Sequence, residues 1–181
     1  GEPEAVERPM AELLAGVTDV VEAHDRYMTA QLERNGVRVL RGQARFIGPT
    51  RLEVVRISGP SLQVEAPRIV IATGSRPRAP AQFSIDHEHV LDSDSILSLS
   101  WLPRSLLVVG GGVIACEYAS IFASLGCRVT QVDRHHRPLS FIDAELTDVY
   151  VEALRAAGSE FLPGVGMRGL HWDGLSQVRA D

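Results

Sequence analysis

The stretch SLLVVGGGVIACEYASIFASLGCRVTQVD, residues 105–133, decides the fold. It opens with an almost wholly apolar run, which is typical of a strand buried in a parallel sheet. Three consecutive glycines follow, then an apolar helical pattern over residues 113–125, and then a second β-rich run that ends at Asp133. The order strand, glycine turn, helix and strand predicts the βαβ unit of an α/β fold with a parallel sheet.

The glycine turn has the pattern G-x-G-x-x-A, formed by Gly110, Gly112 and Ala115. The first glycine permits a tight turn out of the strand, the second lets the backbone approach a pyrophosphate, and the third position must be small for helix and strand to pack. The first helical residues, Val113 and Ile114, then offer free N–H groups and the positive end of the helix dipole to phosphates. The turn therefore predicts a dinucleotide site, with a purely structural α/β turn as the alternative.

A second match to the glycine pattern lies in PGVGMRG, at Gly164, Gly166 and Gly169. No apolar strand leads cleanly into this match and no helical pattern follows it. Since the pattern binds a nucleotide only between a strand and a helix, we expect these glycines to lie in a loop.

The second strand ends in an acidic residue at the spacing expected for a nucleotide site. Asp133 lies 23 residues after Gly110, close to the spacing of roughly 20 at which an acidic side chain meets the adenosine ribose. Asp133 therefore favours NAD. Arg134 and Arg137 follow in the sequence RHHR and are candidates for a 2′-phosphate, which favours NADP. A site that accepts both nucleotides and a solvated charged turn both remain open.

Glu117 follows Ala115 by two residues, and we expect it in the first turn of the helix. A carboxylate there complements the helix dipole. It is also within reach of the nicotinamide end of a bound cofactor. The residues by themselves favour neither role.

The rest of the chain predicts two regions of different character. Residues 10–34 have the apolar spacing of one amphipathic helix, and five short β-rich runs follow within residues 37–72. These runs suggest one strand and an antiparallel meander. The segment TGSRPRAPAQ, residues 73–82, then indicates a crossing between domains. A further helix ends at Gly158, and residues 159–181 predict short strands and turns.

Composition narrows the function classes. The formal net charge is −5, which argues against a nucleic-acid surface, and no apolar run approaches the roughly 20 residues that span a bilayer. Neither cysteine, Cys116 nor Cys127, belongs to a CxxC or metal-ligand pattern. We expect a packed soluble core with buried structural thiols, no membrane or metal partner, and a cytoplasmic location.

Several segments of the chain together resemble those of the FAD-dependent pyridine nucleotide–disulfide oxidoreductases. The glycine-turn segment resembles their NAD(P)-binding segment, and IVIATGSRP resembles the ATG segment that leaves their FAD domain. Four further segments look most like the transhydrogenase branch of this family. They are NGVRVLRGQARFIGPTRLEV, DSDSILSL, GVIACEYASIF and RPLSFIDAELTD. A disulfide reductase similar to dihydrolipoamide dehydrogenase is one alternative, and a non-enzymatic nucleotide-binding module is another.

The resemblance implies hydride exchange between NAD(H) and NADP(H) through FAD. It implies that the glycine turn holds the pyrophosphate, that Asp133, Arg134 and Arg137 face the adenosine ribose, and that Glu117 lies on the nicotinamide side. It also implies that Thr73 and Gly74 of the ATG segment lie near FAD. Family members show glycine where this chain has Ala115, although some relatives share the alanine.

The resemblance further implies that the chain corresponds to a middle part of a longer protein. Residues 1–75 would be a partial FAD-binding domain, made of the helix 10–34 and the strands within 37–72. Residues 76–181 would be a Rossmann-like, three-layer NAD(P)-binding domain, incomplete at its C-terminal end. We therefore expect the chain alone neither to retain FAD nor to catalyse the reaction, and to self-associate through its exposed helix.

Overall fold

The computed structural model describes residues 10–175 and 177–180, the side chains of residues 11 and 13 excepted. The chain forms two compact units. One contains the described residues up to Leu14 together with the chain from Pro77 onward, and the other contains Ala15–Arg76. One three-stranded sheet lies in Ala15–Arg76, and a three-stranded and a two-stranded sheet lie in the other unit.

The unit Ala15–Arg76 contains most of a long helix and an antiparallel meander. The helix, α1, spans Met10–Arg34, as the apolar spacing predicts, and Gly36 follows it with φ of +70°. The meander has the order β1–β2–β3, with Phe46 paired to Leu52 and Leu52 paired to Val64. Its strands are β1 (Gln43–Gly48), β2 (Arg51–Val55) and β3 (Leu62–Glu65).

Two of the predicted strands in this unit are absent from the described residues, so those predictions are wrong. Neither VRVL, residues 37–40, nor RIVIAT, residues 68–73, forms a strand. Val39 is 48% exposed and Val70 is 88% exposed. A β-rich sequence becomes a strand only when another backbone pairs with it and its side chains pack against neighbours. No described strand pairs with either segment.

The other unit contains the predicted βαβ run, extended by a further helix and strand. Its three strands are parallel in the order β4–β5–β6, with Leu107 of β4 paired to Thr130 of β5. The α/β, Rossmann-like prediction is confirmed. The elements in chain order are β4 (Ser105–Val109), α2 (Val113–Ser124), β5 (Arg128–Asp133), α3 (Ala144–Ala156) and β6 (Glu160–Pro163).

The two helices pack on one face of this sheet. Gln131 of β5 contacts both Cys116 of α2 and Tyr150 of α3, so both helices cover the same side. Two of the three expected layers are thus formed by these elements. The core between them is apolar and includes Ala119, Phe122, Val129 and Leu154, each at most 3% exposed. Met10, at the start of α1, joins the same core.

The last part of the chain contains the second glycine match and a β-hairpin. The second glycine match follows β6, so a strand does lead into it, contrary to the sequence-based expectation. No helix follows; instead β7 (Leu170–Trp172) pairs with β8 (Val178–Ala180) in an antiparallel hairpin. These glycines lie in a loop as predicted, because the segment leads to a strand and not to a helix. In the part of the chain that is described, no helix is both long and apolar enough to cross a membrane.

Candidate nucleotide-binding site

The first glycine of the turn is required by its backbone conformation. Gly110 has φ of +128°, which L-residues rarely adopt, and its N–H donates to the carbonyl of Val132 at 2.8 Å. A Cβ placed on Gly110 would lie 3.6 Å from the Cβ of Ala115. The small side chain at the third position of the pattern therefore lies against the turn, and alanine still fits there.

Neither the backbone conformation nor a neighbouring atom of the protein requires a glycine at position 112. It caps α2 in an extended conformation, with φ of −79° and ψ of 177°, and a Cβ placed on it would meet nothing within 4 Å. No side chain caps this helix end. The first-turn N–H groups of Val113 and Ile114 therefore lie behind an open cradle, which suits an anionic group such as a pyrophosphate.

Gly111, between the two pattern glycines, is a residue that the pattern does not single out. It is buried, and a Cβ placed on it would lie 3.1 Å from the carboxylate of Asp133. A larger residue here would make a tight contact with the end of β5, from which the Asp133 side chain would have to shift by a few tenths of an ångström. The sequence shows a glycine at position 111 as well as at the two pattern positions. The reason for it becomes visible only in the structure, where Asp133 lies beside it.

Asp133 lies at the end of β5, next to the turn, as the 23-residue spacing predicts. Its side chain is 13% exposed, and Oδ1 accepts hydrogen bonds from the backbone N–H and from the Nδ1 of His135, both at 2.6 Å. Burial by itself raises the pKa of Asp133, but the hydrogen bonds from His135 and from the N–H of Gly111 outweigh burial and lower it. The side chain is therefore an ionised hydrogen-bond acceptor at neutral pH.

The two arginines after Asp133 lie in different environments. Arg134 is exposed and forms no hydrogen bond or ion pair with the residues that the structure describes. Arg137 is directed to α3, where Nη1 pairs with Asp148 at 2.6 Å and donates to the carbonyl of Ala144 at 3.0 Å. Arg134 is therefore the cation available to a ligand, whereas Arg137 is already engaged.

Glu117 is the fifth residue of α2, and no acidic residue lies in the first turn of this helix. The expectation of a first-turn position is therefore wrong, because α2 begins at Val113, and the pairing of Glu117 with the helix dipole is weaker there. The carboxylate is exposed and has no hydrogen bond or ion pair within the described part of the chain.

Thr73 and Gly74 belong to the unit Ala15–Arg76. Both are exposed and lie outside regular secondary structure, and Gly74 has φ of +70°. Their expected position near FAD stays a prediction.

A buried polar network supports the glycine turn from the helix side, and sequence reasoning missed it. Gln131 is fully buried; its Nε2 donates to the carbonyl of Gly110 at 2.9 Å, and its Oε1 accepts from the hydroxyl of Tyr150 at 2.6 Å. The Sγ of Cys116 lies 3.4 Å from the same amide nitrogen. The signal in the sequence is a glutamine within an otherwise apolar strand.

The cysteines and acidic residues provide no second kind of site among the residues described. No group of three or more histidine, cysteine, aspartate or glutamate side chains there is arranged to hold a metal ion. Cys116 and Cys127 are both free and buried, and burial raises the pKa of Cys127 to about 11. A thiol held protonated in this way is a poor nucleophile.

The chain is similar in sequence to a set of curated relatives over most of its length. It is 42% identical over 144 residues to the soluble pyridine nucleotide transhydrogenase of Pseudomonas paraeruginosa, which covers 76% of this chain and 31% of that protein. It is 41% identical over 159 residues to the soluble pyridine nucleotide transhydrogenase of Marinomonas sp., with 87% of this chain and 34% of that protein covered. The chain thus spans about a third of the length of these relatives.

Solved structures show the same fold. LpdA from Mycobacterium tuberculosis matches 97% of this chain and 39% of its own, with a TM-score of 0.85 and 26% identity. A mutant of the HOCl-induced flavoprotein disulfide reductase RclA from Escherichia coli, in complex with Cu(II), matches 96% of this chain and 40% of its own. Its TM-score is 0.80 and its identity is 27%.

The sequence profile of one family extends over both units. The profile described as pyridine nucleotide-disulphide oxidoreductase matches residues 2–176, and so includes the glycine turn, Asp133 and the meander. The match agrees with the parallel sheet and with the open cradle at Gly112. The chain belongs to the pyridine nucleotide-disulphide oxidoreductase family.

Proposed function

We propose that this chain binds a nicotinamide dinucleotide at the glycine turn and is part of an FAD-dependent oxidoreductase that exchanges hydride between NAD(H) and NADP(H). The observation that carries the proposal is the open space at Gly112. Nothing within 4 Å of this residue requires a glycine, and the uncapped start of α2 lies directly behind it. A ligand backbone or phosphate that must approach closely accounts for the missing side chain.

In this proposal the turn holds the pyrophosphate and the end of β5 holds the adenosine ribose. The N–H groups of Val113 and Ile114 point to the phosphates, and Asp133 accepts from the ribose hydroxyls. Arg134 is the cation for a 2′-phosphate, since it alone of the two predicted arginines has no partner among the described residues. Glu117, one turn further along α2, lies on the nicotinamide side.

FAD, when bound to the whole protein, supplies the group that accepts hydride from one nucleotide and returns it to the other. This chain's own residues bind and orient the nucleotide for that transfer. The unit Ala15–Arg76 would belong to the FAD-binding domain, with Thr73 and Gly74 near the flavin nucleotide, and the unit from Pro77 onward to the NAD(P)-binding domain. The family profile, which matches residues 2–176 and so extends over both units, supports this assignment.

Three finer points follow from this assignment. The 181-residue polypeptide alone should retain no FAD and no transhydrogenase activity, because most of a flavin site would lie outside it. The exposed apolar face of α1 should drive self-association. The cytoplasm is the compartment that fits two free thiols.

A disulfide reductase is the second candidate for the whole protein. The structural similarity to RclA, a flavoprotein disulfide reductase, favours it, at a TM-score of 0.80. Both candidates use the same nucleotide site. They differ in nucleotide choice, since a transhydrogenase must bind both NAD(H) and NADP(H).

The substitution Gly112→Ala tests the nucleotide site. The backbone at Gly112 is extended and the added methyl meets no atom of the protein, so the variant should fold with an unchanged thermal midpoint. The methyl would instead occupy the space needed by the pyrophosphate. We expect at least a tenfold loss of affinity for NADH and NADPH in fluorescence titrations, which corresponds to about 1.4 kcal/mol.

Gly166→Ala is the matched control. Gly166 belongs to the second glycine match and also has nothing within 4 Å of its Cβ position, but no helix follows it. Its affinity for both nucleotides should stay within twofold of the wild type. Equal binding by the wild type and Gly112→Ala would overturn the proposed site. Similar wild-type affinity for the two nucleotides supports the transhydrogenase, whereas a hundredfold preference for NADH favours the reductase.

A further inference from the structure

Gln131 is a polar residue in a buried core strand, where an amide is unfavourable unless its polar atoms are hydrogen-bonded. It is 0% exposed, and it lies in β5 between the buried apolar residues Val129 and Val132. Burying an amide costs free energy unless its polar atoms are hydrogen-bonded. Here both ends are bonded, and one of the partners is the carbonyl of Gly110, inside the glycine turn.

One peptide unit of the turn lies against β5 at both of its ends. Its carbonyl oxygen belongs to Gly110 and accepts from Gln131 at 2.9 Å. Its N–H belongs to Gly111, whose Cβ position lies 3.1 Å from the carboxylate of Asp133. In a trans peptide the carbonyl and the N–H point in opposite directions. Residues 131 and 133 lie on the same face of one strand, about 6.6 Å apart, which matches these two ends.

The Gly110 carbonyl leaves the Gln131 amide one orientation, and Tyr150 holds it there by donating to Oε1 at 2.6 Å. A carbonyl oxygen can only accept, so the amide must direct its NH₂ group to Gly110 and its oxygen to Tyr150. Burial and the neighbouring Cys116 raise the pKa of Tyr150, so its hydroxyl keeps the proton that it donates. A hydrogen-bonded chain therefore runs from α3 through β5 to the turn.

We propose that Gln131, oriented by Tyr150, is a positioning residue that sets the direction of the peptide between Gly110 and Gly111 and thereby shapes the nucleotide cradle. The inference rests on the proposed function and deepens it. Rotation of this peptide would shift Gly112 and the first turn of α2, whose N–H groups face the phosphates. Gly110 and Gly111 have no side chains to restrain them. The N–H of Leu139 bonds to the Gly111 carbonyl at 2.6 Å, and Gln131 of β5 bonds to the carbonyl of the peptide between Gly110 and Gly111.

The test uses the full chain with the substitutions Gln131→Leu and Tyr150→Phe. Gln131→Leu keeps a buried side chain of similar size but removes the hydrogen bonds of the amide to Gly110, Tyr150 and the Sγ of Cys116, and we expect at least a tenfold loss of NADH affinity. Tyr150→Phe removes the hydroxyl that bonds to the amide oxygen at 2.6 Å and, more weakly, to the Cys116 carbonyl at 3.4 Å, and we expect a loss of about threefold. The double variant should lose no more than a further twofold in NADH affinity compared with Gln131→Leu, because both residues act through the same chain of hydrogen bonds.

Thr130→Val is the matched control on the same strand. The hydroxyl of Thr130 bonds to Glu160 at 3.2 Å, away from the turn, so this variant also loses a β5 side-chain hydrogen bond. Its NADH affinity should stay within twofold of the wild type. The unfolding midpoint and the hydrogen exchange of the Gly111 N–H are measured in parallel. Exchange at Gly111 should accelerate in Gln131→Leu more than in Thr130→Val.

Each outcome separates this inference from the proposed function. If Gln131→Leu folds and binds NADH as the wild type does, while Gly112→Ala does not bind, the positioning role is overturned and the nucleotide site stands. If Gln131→Leu does not fold, an unchanged affinity in Tyr150→Phe overturns the inference. If the wild type binds neither NADH nor NADPH, the proposed function is overturned, and the inference with it.

Discussion

Three consecutive glycines occupy the turn for three different physical reasons. Gly110 is needed for its φ of +128°, and Gly111 avoids a tight contact, since a Cβ there would lie 3.1 Å from the Asp133 carboxylate. Gly112 is needed by neither the backbone nor a neighbour. Unlike Gly166, which is equally free, Gly112 lies directly before an uncapped helix start, and this combination is the basis of the proposed nucleotide site.

Asp133→Asn tests how much the negative charge of the Asp133 carboxylate stabilises the fold at the turn. The carboxylate accepts from His135 and Gly111, and an amide cannot accept from both with the same strength. We expect a loss of about 1–2 kcal/mol of unfolding free energy at pH 7, measured by urea denaturation.

The pH dependence of that difference has a definite sign. The pKa of Asp133 is lowered from 3.8 in the folded chain, so its stabilisation is complete above about pH 4 and declines as the pH falls through the lowered folded value. The difference in unfolding free energy between the wild type and Asp133→Asn should therefore become smaller from pH 7 to pH 3. A gap that is constant over this range would show that the carboxylate is not preferentially ionised in the folded state.

At the scale of elements, the connection between β5 and α3 is anchored by Arg137. Its guanidinium pairs with Asp148 in α3 and donates to the carbonyl of Ala144 in the first turn. The side chain predicted from RHHR as a phosphate ligand is thus used to join two elements. Arg134, three residues earlier, keeps an unpaired guanidinium in the described structure.

Substitution of each arginine separates these roles. Arg137→Ala should lower the unfolding free energy by up to about 1 kcal/mol, as an exposed ion pair does, with NADPH affinity within threefold of the wild type. Arg134→Ala should leave stability unchanged and weaken NADPH about tenfold, with NADH unaffected. A larger loss of NADPH affinity in Arg137→Ala than in Arg134→Ala would reverse this assignment.

At the scale of the whole molecule, the unit Ala15–Arg76 exposes much apolar surface. On α1, Val20 is 68% and Val21 is 61% exposed, and beyond the meander Ile71 is 70% exposed. Exposed apolar side chains that cluster on one helix face usually mark an interface. The chain spans about a third of its curated relatives, and we expect a second copy to cover the α1 face when the polypeptide is isolated.

The double substitution Val20→Lys with Val21→Lys tests this self-association. The two lysines would be desolvated at an apolar contact, so the variant should be monomeric in light scattering at concentrations where the wild type has a higher mass. Asp19→Lys, at an exposed position of the same helix, is the control and should keep the higher mass. A monomeric wild type at high concentration would contradict the expectation.

Much of the fold could be predicted from the sequence because it depends on local patterns. The helix Met10–Arg34 follows from apolar spacing, and the βαβ unit follows from an apolar run, a glycine turn and a helical period. The spacing between Gly110 and Asp133 predicts their proximity because a helix and two strand ends of ordinary length separate them. In each case the deciding residues lie within about 30 positions of one another.

Only the tertiary structure decided how residues far apart in the chain pair. Tyr150 reaches Gln131, Arg137 pairs with Asp148 in place of a ligand, and Gly111 fits against Asp133. The β-rich segments 37–40 and 68–73 are not strands in the described structure for the same reason, since they have no partner. Periodicity and turn residues determine which local elements form. Hydrogen-bond partners and burial depend on what the folded chain brings beside each element.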